Sequence, residues 1–188
     1  MESGSDWNGQ QHLNGEGSIS SQENTSIPGY SRVSANKDRP YLSLYNPPEN
    51  TVNFVYTITK PLDTIQEDTF TTAEQAQDYI NSQAITYENY YNSETNDYQL
   101  KDSNNNVTDT LTEYKPIANT DGTYTVIKIT SKIIYFTNGI APGKSVDWNI
   151  FDSLGQGSHE VQIRISTYDV ETNVQCYGAI QDTTIRVS

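Results

Sequence analysis

The sequence predicts a mainly-β protein with an acidic α+β insertion and a disordered N-terminal tail, and three observations predict it. Apolar and polar residues alternate at period two along most of residues 27–188. Clusters of Asn, Asp, Ser, Gly and Pro punctuate those runs, as turns require. One segment alone, FTTAEQAQDYINSQ, carries a helical stripe.

Residues 1–26 are Gly, Ser, Asn and Gln with four acids and no base. Such a chain buries too little apolar surface to offset the entropy of ordering it. The expectation is a flexible stalk between an N-terminal anchor and a folded head, with Trp7 merely solvated. ESGSDWNGQ after Met1 reads as a start placed on a trimmed chain, so a leader is expected to have been removed.

From Ile27 the pattern turns to strands. Tyr41–Tyr45 and Val52–Thr59 flank the turn NPPEN and are expected to form a hairpin. The rhythm breaks at Pro61, where the insertion, residues 61–123, is expected to begin. Thr71 or Thr72 can cap the helix, and Ala73, Ala76, Tyr79 and Ile80 share its stripe. AITYENYY, DYQLKD and VTDTLTEYKPI then read as a β-meander. NTDGT is a tight turn, and Tyr124–Thr137 one unusually long strand. SVDWNIFDSL, HEVQIRISTYDV and CYGAIQDTTIRV complete the chain as strands, the second with one wet face.

Charge is uneven. Twelve acids against two bases place −10 of the formal −13 in residues 61–125. A chain this acidic is repelled by nucleic acid and by anionic membrane surfaces. No apolar run approaches the roughly 20 residues of a membrane span. A single cysteine, Cys176, excludes an intrachain disulfide.

YNPPENTVNFVYTI, IIYFTNGIAPGKSVDW and LGQGSHEVQIRISTYD, with a final apolar strand, are similar as a set to a β-sandwich module of Gram-positive bacterial surface proteins. The likeness covers residues 27–60 and 124–188. It implies an immunoglobulin-like β-sandwich interrupted by the insertion, and export, often as a lipoprotein. The lipid-bearing cysteine of that family is not in this chain. The family implies no catalytic residues.

Chemistry offers little else. His12 lies in the tail and His159 beside a turn, with no Ser-His-Asp or Cys-His order around them. Cys176 lacks a nearby base to hold a thiolate. Asp102, Asn104, Asn106, Thr108 and Glu113 fall at calcium-loop offsets, but Val107 stands where the loop's bend wants glycine, so an Asn-rich hairpin turn is the simpler reading. Lys128 and Lys132 read as strand lysines on a wet face rather than as crosslink donors. YENYYNSETNDYQ holds Tyr87, Tyr90, Tyr91 and Tyr98. These are either cross-strand packing for a hairpin with little aliphatic core or a recognition surface of rigid aromatics among amides.

The expected function is therefore a non-catalytic extracytoplasmic module with no cofactor. It would be tethered through an N-terminal anchor and bind a surface protein or glycan through those four tyrosines. A structural part of an envelope secretion or conjugation machine, pairing through a sheet edge, is the first alternative. A carbohydrate-binding domain of a carbohydrate-active enzyme, with Trp148 as its stacking platform, is the second.

Overall fold

The computed structural model describes residues 5–6, 18–22, 25–31, 33–95 and 97–188, without the side chains of 5, 6, 18–22, Glu88, Tyr90, Tyr91, Asp97 and Tyr177. The expectations for Trp7 and His12 lie outside the described residues, as does most of the segment 1–26. In chain order the elements are β1 Ser5–Asp6, β2 Ser18–Gln22, β3 Thr25–Pro28, β4 Val33–Ala35, β5 Tyr41–Tyr45, β6 Val52–Phe70 and α1 Ala73–Gln83. They continue with β7 Tyr87–Asn92, β8 Asp97–Asp102, β9 Thr110–Ala118, β10 Tyr124–Phe136, β11 Lys144–Asn149, α2 Ile150–Leu154, β12 Gly157–Asp169 and β13 Gln175–Val187. The mainly-β expectation holds.

The chain forms two compact units. The first takes the described residues up to Lys60 together with Asn89–Gln99 and Ile134–Ser188; the second takes Pro61–Glu88 and Leu100–Ile133. The strands β6 and β10 contribute part of their length to each. With the boundaries drawn there, the second unit holds ten acids and four bases, a net −6, because Glu94 and Asp97 fall in the first unit and Lys128 and Lys132 in the second.

In the first unit β4, β13, β12 and β6 are neighbours in one sheet, and β1, β11 and β5 in another. Phe54, Tyr56, Ile58, Val161, Ile163, Ile165, Ile185 and Val187 come from the first sheet; Leu42, Leu44 and Trp148 come from the second, and Ile150 follows β11. All belong to one buried cluster. Each such side chain contributes roughly 1.5–3 kcal/mol when fully buried. Period two is visible along β12, where Val161, Ile163 and Ile165 are buried and Gln162, Arg164 and Ser166 are half-buried.

Three expectations are corrected here. First, β5 and β6 are not a hairpin, since β5 pairs with β11 and β6 with β12. The NPPEN turn instead carries the chain from one sheet to the other. Buried Asn46 fixes that corner: its Nδ2 donates to Val52 O at 2.7 Å and to Ile140 O at 2.9 Å. Asn50 joins it, donating to Asn46 Oδ1 at 2.8 Å and accepting from Ser26 N at 2.7 Å.

Second, β6 does not stop at Pro61 but runs on to Phe70. Its pairing with β12 ends at Thr59, so Pro61 lies where β6 has lost that neighbour and a missing N–H is tolerated. Third, SVDWNIFDSL is a strand followed by a short helix. Asn149 causes the change: its Oδ1 accepts from Asp152 N at 3.1 Å, capping α2.

In the second unit β10 pairs with β9 from Tyr124↔Ala118 to Lys132↔Thr110. The hairpin turns at Gly122, whose φ of +86 glycine adopts without a Cβ penalty. Helix α1 begins at Thr72, whose Oγ1 accepts from Gln75 N at 3.2 Å. Its buried Ala76 and Ile80 pack with Val126, and Phe70, Tyr79, Tyr114 and Tyr124 close around them. Three residues of the helical stripe read from the sequence, Ala76, Tyr79 and Ile80, pack there, whereas Ala73 is exposed.

Candidate functional site

The four tyrosines singled out in the sequence do not form one described surface. Tyr87 belongs to the second unit; Tyr90, Tyr91 and Tyr98 belong to the first. The side chains of Tyr90 and Tyr91 lie outside the described residues. Tyr98 is 3% exposed, so its ring offers a ligand almost no area. It packs against Tyr168 with ring centroids 4.7 Å apart, and Val55 and Phe136 complete the cluster. Its hydroxyl donates to Asn173 Oδ1 at 3.1 Å, and its own N–H donates to Asn138 Oδ1 at 3.0 Å. Tyr87 is half-buried, and its hydroxyl accepts the Thr112 N–H at 2.8 Å. For these two residues the packing alternative describes what the side chains do.

Other candidates resolve in the same direction. Trp148 is 1% exposed and stacks on Tyr135 at 5.6 Å, a core position rather than a platform. Asp102 Oδ1 accepts from the N–H groups of Asn104 and Asn106, both at 2.9 Å, and Asn105 takes a φ of +65. Those donors hold the Asp102 carboxyl below its usual range, the Asn106 amide most of all. The Asn-rich stretch is thus a turn closed by its own aspartate. Among the described residues no three His, Cys, Asp or Glu side chains gather as a metal site would need. His159 Nε2 lies 3.1 Å from Gly155 O, and Nδ1 lies 3.2 Å from Lys60 Nζ. Both ring nitrogens thus have a neighbour within the fold.

The structure adds one place that the sequence did not single out. The end of β6 and the start of α1 are joined by Thr71 and Thr72, which sets the strand's last residues beside one side of the helix. An open groove of about 600 Å³ lies there, lined by Phe70, Thr71, Gln75, Asp78, Tyr79 and Ser82 together with Thr69. Phe70 and Tyr79 form its aromatic wall, with centroids 5.3 Å apart and planes inclined by 41°. One bond fixes the wall and one fixes the groove's polar lining. Tyr79 Oη donates to Glu67 Oε2 at 3.1 Å, and Thr71 Oγ1 donates to Gln75 Oε1 at 2.9 Å. Desolvation first, then the Glu67 carboxylate, pushes the Tyr79 phenol above its ordinary value, so it is a neutral donor at physiological pH.

Chemically the groove combines an aromatic edge with a carboxylate, an amide and hydroxyls. That set suits hydrogen bonding to a polar ligand laid against a ring, and it contains no paired nucleophile and base. A signal was present in the sequence: FTTAEQAQDYINSQ sets Gln75, Asp78, Tyr79 and Ser82 at helical spacing. Only the placement of Phe70 beside them was hidden. Comparison with family models, with curated proteins and with solved structures finds no match.

Proposed function

We propose that the chain is a non-catalytic, extracytoplasmic surface module that binds a protein or glycan through the groove beside α1. The observation that carries this reading is the Phe70–Tyr79 ring pair beside Asp78, Gln75 and Ser82. Aromatic side chains with two torsions supply contact area at low entropic cost, and amides and carboxylates supply orientation. The groove is preferred to the tyrosine hairpin because two of the four hairpin rings, Tyr87 and Tyr98, have internal partners.

The framework is read as an immunoglobulin-like sandwich. Supporting this, β5 and β11 pair antiparallel in one sheet, while β6, β12 and β13 are neighbours in the other. Those strands correspond in order to B, E, C, F and G of that fold. The second unit then occupies the connection between C and E. A surface location is supported by the similarity of the sandwich motifs to Gram-positive surface modules and by the acidic, cysteine-poor composition.

The test is capture from a glycan panel and from cell-envelope extract by the full chain, Asp78→Ala, Gln75→Ala, Tyr79→Ala and a distant control, Tyr41→Ala. The expected result is retention by wild type and the control, with about tenfold weaker binding in the groove variants. Equal capture by all five proteins sinks the assignment.

A further inference from the structure

Strand β9 is the last strand of its sheet, and three of its five outward N–H positions are closed. Two backbone bonds set the phase of the β9–β10 ladder: Asn119 N–H donates to Thr123 O at 2.8 Å, and Ile133 N–H to Asp109 O at 2.7 Å. Antiparallel ladders alternate, so odd-numbered residues of β9 bond to β10. The backbone groups of Thr110, Thr112, Tyr114, Pro116 and Ala118 therefore point away from it.

Of these outward groups, the Thr112 N–H is held by Tyr87 Oη at 2.8 Å. One hydroxyl, that of Thr108, accepts the Thr110 N–H at 3.1 Å and donates to Thr110 O at 3.0 Å, as a facing strand residue would. At Pro116 there is no N–H. An exposed edge without such devices is a template for another strand.

We propose that β9 is a latent self-pairing edge, held shut by Tyr87 and Thr108, and that its occupant when opened is β9 of a second copy. The charge pattern favours this occupant. Glu113 and Lys115 lie on one face, symmetric about Tyr114. Antiparallel pairing of two β9 strands about Tyr114 sets each Glu113 opposite the partner's Lys115, and each Leu111 opposite the partner's Ile117. Thr112 N–H then donates to the carbonyl of the partner's Pro116, which is the donor that Tyr87 now occupies. Tyr87 thus does the work of a gate, and its hydroxyl, rather than its ring, is the bolt.

The experiment uses the full chain in sedimentation velocity and amide exchange, as wild type, Tyr87→Phe and Tyr87→Phe/Thr108→Val. Wild type is expected to sediment as single chains with a protected Thr112 amide. In Tyr87→Phe at low concentration that amide exchanges roughly tenfold faster. The double variant forms pairs in a concentration-dependent way. Adding Lys115→Glu returns it to single chains, and adding Glu113→Lys as well restores the pairs. Thr112 exchange that is unchanged in Tyr87→Phe overturns the gate even where the double variant fails to fold. A folded double variant that stays single at every concentration, or pairs that survive Lys115→Glu, overturns the self-pairing edge. Capture of a foreign strand in place of a second copy also overturns it.

Discussion

The two units solve the same problem with unequal means. In the first, two sheets share a cluster that includes Trp148, Tyr30, Tyr56, Phe54 and a layer of Ile, Leu and Val, and even polar β6 residues such as Asn53 and Thr57 are buried. In the second, among the described residues, the helix face buries Ala76, Ile80 and Val126 beside four half-buried aromatics, and Leu100 and Leu111 are buried apart from them. Leu62, Ile65 and Ile117 remain exposed there. The first unit is held by volume. The second is held by surface devices: a helix cap, self-closed turns and a bolted edge. A region of that kind can display varied side chains on its outside, because little of its sequence is committed to the interior.

Mutations can press on that contrast. Trp148→Ala opens the shared core of the first unit and should cost about 3–5 kcal/mol, read as a lower midpoint in denaturant. Should the loss come out below about 1 kcal/mol, the first unit is not held by its core. Ile80→Ala acts on the thin cluster and should cost about 2 kcal/mol. Its signature is local: amides of α1 and β9 should exchange faster while those of β12 keep their protection. Uniform loss of protection through β12 would show the two clusters to be one cooperative system.

The smallest change expected at neutral pH is Tyr56→Phe, about 1 kcal/mol, because it removes a buried hydroxyl that donates to Tyr45 O at 2.8 Å and contacts Tyr30 Oη at 3.1 Å. It sharpens into a larger difference in alkali. Burial raises the phenols of Tyr30 and Tyr56, and desolvation followed by Glu49 pushes Tyr45 up to about 12. The unfolded chain releases these protons first, near pH 10. Stability is therefore complete below about pH 10 and falls as pH rises through the folded values. Denaturant midpoints at neutral and alkaline pH should fall less steeply in Tyr56→Phe than in wild type; parallel slopes would discount the buried pair.

How much of this was legible depended on the reach of each signal. Helix α1 and the long strand β10 were readable because their patterns are local. The change of sheet after β5 was not, since Asn-Pro-Pro-Glu-Asn serves a hairpin and a corner equally well. What decides is a bond from Asn46 to Ile140, 94 residues away. Pro61 misled for a similar reason, because its tolerance rests on where β12 stops pairing. Asn149 and Asp152 were a readable cap signal that period-two patterning overrode. Tyr98 looked available because its cover, Tyr168, lies far along the chain. The groove was half legible, as helical spacing gave Gln75, Asp78, Tyr79 and Ser82 but not the strand end that faces them. The closed edge was invisible, because its locks come from Tyr87 and Thr108, outside the strand they protect.

The parallel pairing of β4 with β13, from Val33↔Ile185 to Ala35↔Val187, has a mechanical consequence. Tension applied through the chain before β4 and the chain after β13 pulls these strands in opposite directions along their common axis. The ladder is loaded in shear, so its bonds share the force instead of parting one at a time. Gln181 lies on the same path, gripping Tyr30 N at 3.0 Å and Pro28 O at 2.6 Å just ahead of β4. A pull from the N-terminal side would load this clamp together with the buried Ile27 and Tyr30.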